Sequence, residues 1–189
     1  MRKVLKVILA VFAVLIILVV IAGALFFLDI AAYTATGVQT LPASGSNMGA
    51  ALVLYDPGLS GASTRVAEQV AADLTNKSLT VTLAGIKSSA AANTTGYDVI
   101  VIGGPIYAGS PTASVKDALN ALVLNHDSDT RVGVFGSGQG STSTEDVAQI
   151  KQAIPLSSDS ALQNAVVVKI GESEDINARA SDFVNQVAG

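Results

Sequence analysis

The side chains able to act on a ligand gather in three stretches, each following a short run of strand-forming residues. The first is Asp56-Pro57-Gly58-Leu59-Ser60-Gly61-Ala62-Ser63-Thr64, just ahead of an amphipathic segment. Hydroxyls of Ser60, Ser63 and Thr64, with Gly61 and Ala62 between them, stand where a helix begins. Free N–H groups and the dipole at such an end attract an anion, and the hydroxyls add donors. Ordinary capping by serine or threonine is the other reading of the same residues. The second stretch is Gly103-Gly104-Pro105-Ile106-Tyr107-Ala108-Gly109-Ser110-Pro111. Glycines at a strand end permit close backbone approach to a ligand, prolines stiffen the loop, and Tyr107 offers a flat face for stacking. A tight turn with one surface tyrosine is the alternative. The third, Phe135-Gly136-Ser137-Gly138-Gln139-Gly140-Ser141, is a bare backbone loop with polar side chains. Ser141 stands where G-x-G-x-x-G needs its last glycine, and G-x-S-x-G is not met either. Neither a dinucleotide fingerprint nor a nucleophile elbow is present.

Absent residue types narrow the chemistry further. With no cysteine in the chain, disulfides, thiolate metal sites and cysteine catalysis are excluded. The single histidine, His126, sits in the polar run Leu124-Asn125-His126-Asp127-Ser128-Asp129 and reads as solvent-exposed. One histidine makes a zinc enzyme or a Ser-His-Asp hydrolase hard to build. From residue 49 onward there are 8 basic and 14 acidic residues, a net of −6, with no basic cluster. Nucleic acid is therefore not an expected partner, because neutralising phosphates requires Lys and Arg on one face. An acidic surface suits docking to a basic partner and suits solubility equally well.

The elements that must position the three stretches follow from periodicity. Candidate strands are Ala50–Tyr55, Leu79–Leu83, Asp98–Gly103, Arg131–Gly136 and Ala165–Ile170. Candidate helices are Thr64–Asn76, Ser114–Val123, Thr144–Ile154 and Ile176–Val187, each with an apolar stripe at helical spacing, and Pro155 closes the third. Strands separated by helices imply βαβ units and a parallel sheet. Val99-Ile100-Val101-Ile102 is apolar throughout, as a strand covered on both faces should be. Leu79-Thr80-Val81-Thr82-Leu83 alternates, which marks one wet face and suggests an edge position. An edge second strand fits the doubly wound order 2-1-3-4-5, whose ligands bind beyond the C-terminal strand ends near strands 1 and 3.

Ahead of this domain, Val7–Leu28 is an unbroken apolar run of 22 residues. At about 1.5 Å per residue it is long enough to cross a hydrocarbon core of about 30 Å, where only a helix satisfies the backbone. The basic start and Ala22-Gly23-Ala24 resemble a cleaved signal peptide, but the run outlasts a usual signal core, so an uncleaved anchor is expected. Arg2, Lys3 and Lys6 precede the run and no basic residue follows until Arg65. That asymmetry places the N-terminus in the cytoplasm and the domain outside. The expected organisation is an anchor over residues 1–28, a flexible Ala/Thr/Ser/Gly-rich tether over 29–48, and a folded domain over 49–189.

The folded part resembles a short-chain flavodoxin. Tyr97-Asp98-Val99-Ile100-Val101-Ile102-Gly103-Gly104-Pro105-Ile106-Tyr107-Ala108-Gly109 is similar to that family's third strand and the loop that contacts the isoalloxazine ring. Leu52-Val53-Leu54-Tyr55 with Ser60-Gly61-Ala62-Ser63 resembles the first strand and phosphate loop, and Gly136–Gly140 falls where the second flavin loop lies. The first loop is one residue longer than the family's, Ala62 replaces an asparagine, and the third loop lacks an aromatic. The resemblance implies a flavodoxin-like α/β domain that binds FMN through Ser60, Gly61, Ala62, Ser63, Thr64, Gly104, Pro105, Ile106, Tyr107, Ala108, Gly136, Ser137, Gly138, Gln139 and Gly140. It implies an electron carrier with a redox partner protein, since FMN itself carries the electron chemistry. A flavodoxin-like scaffold that has lost FMN and serves as an extracytoplasmic binding or structural module is the alternative.

Overall fold

Short apolar runs become strands and the amphipathic segments between them become helices, because each leaves one face that only the other can cover. The computed structural model describes residues 12–21, 35–124, 129–155 and 160–189. The chain divides into two units, Met1–Tyr33 and Thr34–Gly189. In the first, residues 12–21 form helix α1, with every residue exposed. Ten residues reach only about 15 Å, and among the described residues no helix is long and apolar enough to cross a membrane. The remainder of the expected span, its flanking basic residues and His126 lie outside the described residues.

The second unit carries strands β1 (Val38–Leu41), β2 (Gly49–Tyr55), β3 (Leu79–Gly85), β4 (Val99–Tyr107), β5 (Ser110–Pro111), β6 (Arg131–Gly138) and β7 (Val166–Gly171). Its helices are α2 (Ala62–Asn76), α3 (Ala113–Ala121), α4 (Thr144–Ala153), the short α5 (Ser160–Gln163) and α6 (Ile176–Ala188). The sheet runs β1-β3-β2-β4-β6-β7, with β5 paired to β4. Five of these strands are parallel and take the expected order 2-1-3-4-5.

Two features depart from the expected five-stranded parallel sheet: the observed sheet has seven strands and is not purely parallel. Val38–Leu41, inside the stretch read as a tether, pairs antiparallel with β3 from Val38↔Ala84 to Leu41↔Val81. β3 is therefore not an edge strand. Its alternation reports its two faces, with Leu79, Val81 and Leu83 buried and Thr80 and Thr82 half-buried. Ladder hydrogen bonds come from the backbone, so a four-residue run with Val and Thr can join a sheet without much apolar content of its own. The second departure is β5, which folds back on β4 through Ile106↔Pro111 and Tyr107↔Ser110. Ala108 and Gly109 both hold positive φ, 49° and 78°, the geometry a two-residue hairpin turn demands.

Two cores flank the sheet. On one side Val66, Val70 and Leu74 of α2 and Phe183 and Val187 of α6 pack with Val53, Val81 and Val101. On the other, Val115 and Leu119 of α3 and Ile150 of α4 pack with Leu52, Ile100 and Val134. Val99 to Ile102 are fully buried, as their continuous apolar run predicts.

Candidate functional site

Beyond the C-terminal ends of β4 and β6 opens a cleft of about 510 Å³. The loop after β2 contributes Leu59 and Ser60, the β4–β5 hairpin contributes Pro105 to Gly109, and the end of β6 contributes Ser137, Gly138 and Gln139. Asp146, Lys169 and Glu172 complete the lining. All three stretches chosen from sequence thus meet at one place. Gly61, Ala62, Ser63, Thr64, Gly104, Gly136 and Gly140 do not line the cleft.

The second stretch is a hairpin that extends β4, not an open loop. Tyr107 at its tip is 48% exposed, and its hydroxyl accepts the Leu59 N–H at 3.0 Å. That bond ties the hairpin to the loop after β2 and fixes the ring at the cleft rim. In the third stretch, Gly136, Ser137 and Gly138 are strand residues, the first two paired with both β4 and β7 and Gly138 with β7, so the loop proper starts at Gln139.

The glycines serve packing where a ligand contact was expected. A Cβ on Gly103 would run into the ring of Phe135, and one on Gly136 into the Cδ1 of Ile106. A Cβ on Gly104 would press on Val115 and Asp56. The Gly103 carbonyl already accepts the Asp56 N–H at 2.9 Å. These positions lack side chains because the core fills the space.

The first stretch forms the start of α2 two residues earlier than expected. Gly61 is the N-cap with φ 68°, no side chain caps it, and no acidic residue lies in the first turn. The Ala62 N–H reaches Ser60 Oγ at 3.3 Å. The Ser60 hydroxyl in turn donates to Glu172 Oε1 at 2.7 Å. Ser63 is 1% exposed, with its Oγ 2.6 Å from that of Ser137. Two of the three hydroxyls expected to meet a ligand therefore bond within the protein, and Thr64 stands half-buried on the first turn.

Three charged residues at the site escaped the sequence reading. Lys169 is 6% exposed; its Nζ lies 2.8 Å from Asp146 Oδ2 and donates to the carbonyls of Gln139 and Ser141, each at 3.3 Å. The ammonium group thus pins the loop after β6 from beneath. The hydrogen bond from Lys169, followed by that from Ser143, holds the Asp146 carboxyl below the usual aspartate value. Asp146 also closes a capping box with Ser143 at the start of α4. The available signal was a lysine inside Val166-Val167-Val168-Lys169-Ile170, since a charge in a buried strand demands partners. Glu172, one residue past β7, is exposed and gave no comparable signal.

No family model matches the chain, and no curated protein matches it. Solved structures do. Flavodoxin 2 from Bacillus cereus aligns at 20% identity with a TM-score of 0.51, covering 74% of this chain and 97% of that one. A flavodoxin from Streptococcus pneumonia TIGR4 aligns at 20% identity and a TM-score of 0.53, covering 74% and 97%. The flavodiiron core of Flv1 from Synechocystis sp. PCC6803 aligns at 15% identity and a TM-score of 0.51, covering 74% of this chain and 36% of that one. The domain therefore has the flavodoxin-like fold. At these identities the likeness is one of architecture.

The site fits the two ends of a flavin unequally. Between the Tyr107 hairpin and Gln139 its lining is partly apolar, through Pro105, Ile106, Tyr107 and Ala108, which suits a flat ring. At Ser60, one residue before the N-cap of α2, the lining carries the exposed carboxylate of Glu172.

Proposed function

We propose that this domain is a flavin-binding electron-transfer module, with FMN the flavin implied by the resemblance, attached to a membrane through residues 7–28. The observation that carries the reading is the convergence of all three sequence-selected stretches on one cleft at the C-terminal sheet end, in a flavodoxin-like fold. Ligands of open α/β sheets bind at that end. When bound, a flavin supplies the redox chemistry itself. The chain's own residues hold and orient it: Tyr107 and Gln139 border the ring, and Lys169 keeps the Gln139–Ser141 segment in place. A bound flavin needs no acid, base or nucleophile from the chain, and the sequence carries no dinucleotide fingerprint, so an electron carrier working with a redox partner protein is a better reading than a stand-alone oxidoreductase.

A second reading is a scaffold that no longer binds FMN. The engagement of Ser60 by Glu172 and of Ser63 by Ser137 favours it. Titrating the purified full-length chain in detergent with FMN, by quenching of flavin fluorescence, separates the two. Binding at micromolar concentration is expected, and Tyr107→Ala should weaken it by about 0.5–1.5 kcal/mol through lost stacking. A colourless protein that leaves flavin fluorescence unchanged would favour the scaffold.

A further inference from the structure

Resting on the flavin reading, we infer that Glu172 determines specificity at the Ser60 end of the cleft. It disfavours a dianionic tail and shifts preference toward flavins whose tail ends in a hydroxyl.

A serine hydroxyl has one hydrogen to give. That of Ser60 goes to Glu172 Oε1 at 2.7 Å, while its oxygen receives the Ala62 N–H. A phosphate seated on the start of α2 and reaching Ser60 must take this hydrogen from the carboxylate and then share the hydroxyl with it. Two anions would face each other across one oxygen. Among the described residues, Lys169 is the only basic side chain lining the cleft. Its ammonium group has three N–H donors, and they meet Asp146 and the carbonyls of Gln139 and Ser141.

Repulsion can be sized. A phosphate of about two charges held about 6 Å from a carboxylate loses about tenfold in affinity even at the dielectric of water. A hydroxyl at the same place has the opposite effect, since it donates to the Glu172 carboxylate and leaves Ser60 as it is. Riboflavin ends in such a hydroxyl and FMN in the phosphate, so the pair isolates this contact.

The test is titration of the full-length wild type and Glu172→Gln with FMN and with riboflavin. Glu172 is exposed, so the substitution leaves both cores intact. Wild type should bind riboflavin at least as tightly as FMN. Glu172→Gln should raise FMN affinity about tenfold and change riboflavin affinity by less than about threefold, since glutamine keeps an acceptor oxygen. FMN affinity that stays constant or falls in Glu172→Gln, with both flavins binding, overturns the inference and leaves the flavin reading intact. If neither protein binds either flavin, both are overturned.

Discussion

Lys169 shows how one buried charge organises a loop around itself. Its side chain is 7% exposed and that of Asp146 is 21% exposed, so the pair is shielded enough for each partner to depend on the other. Asp146→Asn leaves the ammonium group without its counter-charge and weakens the capping box of α4, since asparagine keeps one acceptor oxygen but no charge. Removing one partner of a buried pair costs several kcal/mol, and the partial exposure of Asp146 reduces this to about 2–4 kcal/mol. A melting temperature lower by about 5–15 °C is expected. The pair also sets an acid dependence. The Asp146 carboxyl titrates below its ordinary 3.8 in the folded protein, so its contribution is fully present above that pH and is lost as pH falls through the folded value. Thermal melts of both proteins between pH 7 and pH 2 should therefore converge toward the acid end. Parallel curves across the whole range would show that the pair does not support the fold. At this scale the sequence was legible where hydroxyls, glycines and one tyrosine clustered. It could not show that Gly103 and Gly136 make room for Phe135 and Ile106, or that Ser60 faces Glu172, 112 positions away, because those are consequences of tertiary packing.

Among the elements, the parallel strands and long helices were legible within a few residues, since each has the apolar period that its burial requires. Val66, Val70 and Leu74 are buried on α2 as their spacing predicts. The strand β1 was not legible, because Val38-Gln39-Thr40-Leu41 borrows its stability from a neighbour, and such a run has no strong pattern alone. Its removal should be felt. The Gly85 N–H bonds the Gly37 carbonyl at 2.9 Å, and Leu41 packs against the core. A domain beginning at residue 34 should be a stable monomer. One beginning at residue 49 loses these contacts and exposes the unpaired backbone of β3, a template for pairing with another chain. It should be less stable by about 1–3 kcal/mol and should associate as concentration rises, measurable by urea denaturation and light scattering. Equal stability and monomeric behaviour of both proteins would mean that β1 only lies along β3 without supporting it.

For the whole molecule, the proposed anchor carries a prediction about the side of the membrane on which the domain lies. The proposed anchor, Val7–Leu28, follows Arg2, Lys3 and Lys6, and the next basic residue is Arg65. Positive residues close to a span resist translocation, whereas acidic residues count for little and long domains cross largely regardless of their charge. The net of −6 over residues 49–189 therefore does not compete with the three N-terminal charges. A phosphatase reporter fused after Gly189 should be active outside the cytoplasm, and a fluorescent reporter that matures only inside should stay dark. Making Arg2, Lys3 and Lys6 neutral while adding lysines beside Ala32 should weaken or invert that pattern. The outcome bears on the proposed flavin site as well, because a domain outside the cytoplasm must take any flavin it binds from what is delivered there. Reporter activity confined to the cytoplasm in the unaltered chain would refute the topology and make a conventional cytosolic electron carrier the better description.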